Sequence, residues 1–250
     1  KNRIIIELDS KGNTSASVTS STHERKSRTS IVISHGKIFL KHNTLTEDMP
    51  IVIIFKAMGI ESDQEIFSLV GVERALGDAL VASFAEAFKR KIFTQAQALE
   101  YIGARIRSLQ RPGGWRKPKQ DAARDVLASV VLTHVPVNEY DFRLKCVYLS
   151  YMVRRALLAC HDKRLLDDKD YYGNKRLELA GQLLALLFED LFKRFNMDFR
   201  RRMDQILSKP TTAELPDLLK IIRVRQDTIT FGFTHAISTG NWTLRRFKME

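Results

Sequence analysis

Glu47-Asp-Met-Pro50-Ile-Val-Ile-Ile-Phe55-Lys-Ala-Met-Gly59 is the stretch on which the fold turns. By propensity the β-branched run from Ile51 to Ile54 reads as a strand. Periodicity reads otherwise. Ile51, Ile54, Phe55 and Met58 fall at i, i+3, i+4 and i+7, which is one helical stripe. Pro50 suits the first helical turn, Glu47 and Asp48 suit its positive end, and Gly59 suits the exit. The spacing therefore predicts a helix here and a change from β to α structure at about residue 47.

Upstream of it the signals are those of strands. Arg3–Leu8 is a short apolar run, and Asn13–Thr22 is rich in Ser and Thr around Val18. Lys11-Gly12-Asn13 between them is a turn signal. Ile31–Ile33 and Lys37–Leu40 flank Ser34-His35-Gly36, where Gly36 fits a hairpin turn. Downstream the signals are helical. Ser62-Asp-Gln-Glu65 and Thr94-Gln-Ala-Gln97 are capping boxes, predicted to start helices through Val70 and Ile106. Residues 109–119 are a Gly/Pro/basic loop. Gln120–Thr133 and Phe142–Cys160 read as helices, the second with Cys146, Leu149, Val153, Leu157 and Cys160 on one face and Ser150 as its small polar exception. Asp167–Tyr172 is a polar hinge. Asn174–Leu207 is the longest helical pattern, with Leu177, Leu184, Leu187, Leu191 and Phe195 on one side. Lys209–Pro216 breaks it, Leu218–Ile222 and Asp227–Ile237 are shorter helical segments, and residues 238–242 are a loop. The fold class expected is α+β, predominantly helical, with a β-rich N-terminal part.

Composition sets the outer bounds. The 250 residues are 44% hydrophobic and 28% charged, enough apolar content for a real core and too much for disorder. No apolar run approaches the roughly 18 residues of a membrane span. The longest uncharged stretch, Thr228–Leu244, is full of Thr, Ser, Gly, His and Asn. The chain opens in what reads as mid-strand, without Met, and is expected to be a piece of a longer protein. Cys146 and Cys160 read as buried thiols of a reducing compartment. With 41 Lys+Arg against 29 Asp+Glu the net charge is +12, which favours a polyanion. The cations cluster in Arg111–Lys119 around Trp115, in Lys193-Arg194 and Arg200-Arg201-Arg202, and in Arg223, Arg225, Arg245, Arg246 and Lys248. Contact through these would weaken with salt.

No catalytic constellation is visible. Gly113-Gly114 lacks the spacing of a phosphate-cradling loop. Two distant cysteines and the histidines (His23, His35, His42, His134, His161 and His235) show no metal-ligand spacing and read as loop or surface residues. Asp167-Asp-Lys-Asp170 carries hard oxygen ligands, but acidic residues before a long helix complement its positive end. There is no nucleophile elbow and no activating surround for either cysteine.

Three segments then carry a resemblance. Glu47–Ile66 resembles the start of the lobe in the second-largest subunit of multisubunit RNA polymerases. Asp167-Asp-Lys-Asp-Tyr-Tyr-Gly-Asn-Lys-Arg-Leu-Glu-Leu-Ala-Gly181 is similar to a signature of that family with a bacterial counterpart. Thr234-His-Ala-Ile-Ser-Thr-Gly-Asn-Trp242 is similar to the segment leading towards the fork region. Their order and spacing agree along the whole chain. Ser17–Arg28, Phe55–Gln64 and Leu132-Thr-His-Val-Pro136 look most like RNA polymerase III.

The resemblance implies that residues 1–46 belong to a protrusion, 47–222 to a helical lobe, and 223–250 to a return to the protrusion. It implies a non-catalytic part of a nuclear DNA-directed RNA polymerase, a nucleotidyltransferase complex, forming one wall of the DNA cleft. The catalytic magnesium would lie elsewhere in the complex, with no cofactor in this chain. DNA, the largest subunit and accessory subunits would be partners. Carried over residue by residue, the signature singles out Asp170, Asn174, Lys175 and Arg176. Lys175 and Arg176 would meet phosphate or a fork-region carboxylate, and Asp170 would accept from a base or orient a basic neighbour. The alternative for these residues is purely structural, a helix start packed on the protrusion. Arg223, Arg225, Arg245 and Arg246 complete the set expected at nucleic acid. Tyr171 and Tyr172 precede the glycine, and base stacking requires them exposed. A second reading makes the chain a docking module for accessory subunits or initiation factors, which expects exposed apolar residues on the helices of 62–106 or 142–160.

Overall fold

The computed structural model describes residues 3–22, 26–107, 118–168, 170–208 and 227–241. The fold is α+β. It divides into two compact units, residues 1–169 and residues 170–247.

The first unit opens with five antiparallel strands in sequential order, β1 (Ile4–Leu8), β2 (Thr14–Ser21), β3 (Lys26–Ser34), β4 (Lys37–His42) and β5 (Met49–Pro50). The expected strands and the turn at Gly36, φ +70°, are present. Register places Ile4 opposite Val18, Ile6 opposite Ala16, Ala16 opposite Ile31 and Ile31 opposite Leu40, so one face is apolar and buried. The small residues Ala16 and Ser20 on β2 let the helix at Arg143–His161 lie close against this face. The other face is polar: Arg28 reaches across the sheet to Glu7, 2.9 Å away, above Ser15 and Ser17.

Pro50 ends the edge strand β5, where its missing N–H costs no ladder bond, and α1 (Ile51–Ala57) follows directly. The period predicts one buried stripe; the structure buries every residue of α1, because β4 and β5 and the helices at Arg74–Lys89 and Gln95–Gly103 all pack on it. Next come α2 (Asp63–Val70), α3 (Arg74–Lys89), α4 (Gln95–Gly103), α5 (Lys119–Ser129) and α6 (Arg143–His161). The sequence reading assigned no element to α3. Its inward positions Leu76, Leu80, Ser83 and Ala87 include two small side chains, while Val81 and Phe88 point outward, which blurs the stripe. The Thr94 box forms with both reciprocal bonds. The Ser62 box does not, because the Glu65 carboxylate is engaged by Arg143 of α6. The α4 helix stops at Gly103, short of Ile106, and Ile106 instead bridges to Leu45. Gly103 is required there: a Cβ would lie 2.2 Å from the Lys119 carbonyl oxygen, so only glycine lets α4 meet the start of α5 this closely.

Two readings of side chains are corrected. Cys146 is buried, its thiol pushed up to about 12 by that burial, but Cys160 at the end of α6 is exposed. His42 is buried, not at the surface. Its Nδ1 accepts the Thr44 N–H at 3.2 Å and lies 2.7 Å from the Thr44 hydroxyl, and burial lowers its pKa to about 4.

The described residues of the second unit hold a 3-10 turn at Tyr172–Asn174, the 28-residue α7 (Ala180–Leu207) and α8 (Thr228–Thr239). The helix expected from Asn174 begins six residues later, since residues 175–179 are extended, and Leu177 is consequently outside it and exposed. Leu187 and Leu191 of α7 pack on Ala236 of α8, with Ile229 and Phe233 beside them. The helical segment expected at 218–222 lies outside the described residues.

Candidate nucleic-acid interface

The acidic run before residue 170 does not serve a helix N-terminus, as the sequence suggested. Asp167 belongs to the first unit. Its Oδ1 accepts from Arg3 at 2.9 Å, its Oδ2 accepts the Ile6 N–H at 2.9 Å, and its own N–H donates to the Ile6 carbonyl at 2.9 Å. Arg155 lies 3.7 Å from the same carboxylate. The carboxylate is thus half of a clamp that ties the chain leaving α6 to β1. Among the described residues no three His, Cys, Asp or Glu gather as a metal site.

The signature residues form a small, self-supported turn. The Asn174 N–H donates to the Tyr171 carbonyl at 2.9 Å and the Lys175 N–H to the Tyr172 carbonyl at 3.1 Å. Arg176 Nη1 donates to the carbonyls of Gly173 and Lys175, both at 2.7 Å, and so fixes the guanidinium against the backbone. Lys175 Nζ sits 3.1 Å from Asp170 Oδ1. The Tyr171 ring lies across the turn close to Gly173, where a Cβ would fall 2.5 Å from it and make the ring shift. Tyr172 is 91% exposed and Tyr171 64%, so the condition for base stacking is met. The four residues singled out by the signature are therefore together, on the surface, in one ordered turn.

The other cations are less concentrated. On α7, Lys193 pairs with Glu189 at 3.0 Å, Arg194 with Asp190, and Arg201 with Asp198 at 3.7 Å. Arg223, Arg225, Arg245 and Arg246 lie outside the described residues, as do Trp115 and most of the Arg111–Lys119 loop. Sequence reasoning missed the Tyr101 cluster of the first unit. Arg105 stacks at 3.6 Å over the Tyr101 ring centroid and pairs with Glu47, and Arg90 approaches the same ring at 5.4 Å. Its only sequence signal is the i, i+4 spacing of Tyr101 and Arg105, since Arg90 comes from the end of α3.

Comparison with known proteins identifies the family. A profile of the family described as RNA polymerase Rpb2, domain 2, matches residues 1–178. The DNA-directed RNA polymerase III subunit rpc2 of Dictyostelium discoideum is 56% identical over all of this chain, and its counterpart in Schizosaccharomyces pombe 53%. The DNA-directed RNA polymerase II subunit 2 of Arabidopsis thaliana is 34% identical over 78% of the chain and 16% of its own length. The chain spans 16% and 22% of the two RNA polymerase III relatives. The higher identities fall on RNA polymerase III, the class to which the sequence details pointed. On this match the chain belongs to the RNA polymerase Rpb2 domain 2 family and corresponds to a part of a second subunit of the RNA polymerase III kind.

Proposed function

We propose that this chain is a non-catalytic part of a nuclear DNA-directed RNA polymerase and forms one wall of its DNA cleft. Nucleotidyl transfer, with its magnesium, belongs to other parts of the complex, and the largest subunit and accessory subunits are its partners. In this reading residues 1–46 are protrusion, 47–222 lobe, and 223–250 the return to the protrusion. The observation that supports it is the exposed turn Asp170–Arg176. Its chemistry suits contact without sequence readout. The Lys175–Asp170 pair is open to solvent on both sides, so it is worth at most about 1 kcal/mol and a phosphate can replace the carboxylate at little cost. Arg176, held by the backbone, presents the rest of its guanidinium in a set direction.

The test is binding to bubble DNA across a salt series. Reversal of both charges, K175E with R176E, is expected to flatten the slope of log K against log salt by roughly 0.7 to 0.9 for each phosphate that is no longer neutralised. An unchanged slope sinks the assignment of these two residues.

A second reading has its own observation. Leu144, Val147 and Tyr151 form an exposed stripe on α6 at i, i+3 and i+7, and Val81 and Phe88 are exposed on α3. These are the helices on which a docking module expects apolar surface. L144D with Y151D is expected to release an accessory subunit without altering the salt slope; retention of every subunit counts against docking on α6.

A further inference from the structure

A helix leaves its last carbonyls without intrahelical donors. At the end of α5 those carbonyls meet a buried cation. Lys145, on the first turn of α6 and fully buried, donates from Nζ to the carbonyls of Leu127 and Ala128 at 2.7 Å and of Val131 at 2.5 Å. An ammonium has three N–H groups, and all three are used. Burial lowers the Lys145 pKa to about 8, which leaves it protonated at neutral pH.

The segment held in this way is itself an anchor. The Val130 carbonyl accepts the Ser27 hydroxyl at 2.7 Å. His134 Nδ1 and Ser20 Oγ share a hydrogen bond of 2.8 Å, and the His134 ring meets Tyr148 edge-on at 4.9 Å. Ser20 and Ser27 are cross-strand partners, so both hydroxyls come from one rung of the β2–β3 ladder, near its turn. Both serines are buried. Along the inner face of the sheet both members of this rung carry hydroxyls, where the next rung is Val18 opposite Thr29 and the one beyond it Ala16 opposite Ile31.

We propose that Lys145 is a fastener for the β2–β3 hairpin: by gathering the carbonyls of 127, 128 and 131 it fixes residues 130–134, and these hold the Ser20–Ser27 rung. The cation is needed because three carbonyls converge on one point at the negative end of α5, and a neutral side chain leaves them buried and unpaired. The hairpin end that it positions carries Lys26 and Arg28. This is a conformational device independent of the DNA reading above.

Amide hydrogen exchange on peptides of this region in the full-length protein tests it. In K145M, which keeps the length and apolar stem, exchange at Val18–Ser21 and Ser27–Ser30 is expected to quicken about tenfold or more. The amides of Val130 and Val131, which donate to the Val126 carbonyl, are expected to quicken with them, while those of α3 and α4 stay as they were. In S20A with S27A the hairpin quickens but Val130 and Val131 do not, because Lys145 still holds α5. Hairpin protection unchanged in either variant overturns the proposal, as does uniform loss of protection throughout the first unit in K145M. If K145M does not fold, the double serine variant decides alone.

Discussion

In residues 3–168 a five-stranded sheet and helices α1 to α6 enclose an apolar core that runs from Ile4 to Ala159. Among the described residues of the second unit, 170–208 and 227–241, α7 and α8 bury Leu187, Leu191 and Ala236 against one another. The difference is one of layers. A sheet covered by α6 on its apolar face, with α1 sealed on all sides, removes whole side chains from water. Two helices alone can bury only the stripe where they touch. On α7 Phe188 and Phe192 stay exposed, their rings stacked 5.8 Å apart at 48% and 45% exposure. Stability in the first unit is thus distributed through a core, and in the second it is local. The proposed DNA-contacting turn is carried by the unit with the smaller core, and it holds its own shape through Arg176 and the backbone bonds of Tyr171 and Tyr172.

The comparison can be broken by substitution. Phe55→Ala removes a fully buried ring from α1 and is expected to cost about 3 to 5 kcal/mol, read as a lower denaturant midpoint for the first unit. Leu191→Ala in the second unit is expected near the lower end for leucine, about 2 kcal/mol, and to leave exchange in the first unit untouched. Equal losses, or a loss that spreads to both units, contradict the division.

Acid sharpens the same contrast. His42 titrates near 4 when folded against an ordinary value of 6.5, so the folded state binds fewer protons between these limits. Its contribution is complete above about pH 6.5 and is lost as pH falls through 4, roughly 3 kcal/mol in all. His42→Asn keeps an acceptor for the Thr44 N–H and cannot protonate in this range. Its urea midpoint is therefore expected to fall less between pH 6.5 and 4 than that of the unaltered chain; parallel curves would show that His42 is not the group involved.

The smallest effect is expected on the outside of α7. Arg201 and Asp198 form an exposed pair 3.7 Å apart, and R201A is expected to change stability by less than about 0.5 kcal/mol. A larger loss would mean that this face of α7 is covered in the folded protein.

Legibility in the sequence followed the same line. Strands β1 to β4, the stripe of α1 and the Thr94 box were readable because each rests on neighbours in sequence. The α3 helix was not, since Ser83 and Ala87 occupy inward positions that look polar or neutral. Lys145 was invisible for a sharper reason: a lysine reads as solvent-facing, and only the convergence of three carbonyls from the end of α5 and the turn after it makes its burial tolerable. Asp167 was misread for want of its distant partners Arg3 and Ile6. At the candidate site the residues Asp170, Asn174, Lys175 and Arg176 came from resemblance, whereas the turn that unites them came from structure. Without the fold, nothing in the spacing says that Arg176 bonds backward to Gly173 rather than outward.

The central claim is that the turn at 170–176 lies against DNA. The direct measurement is a photo-crosslinking residue placed at the exposed Tyr172 of the turn, in the assembled polymerase on bubble DNA. The account predicts a crosslink to a DNA strand that fades as salt rises. A crosslink to polypeptide alone, unchanged by salt or by omission of DNA, would contradict it.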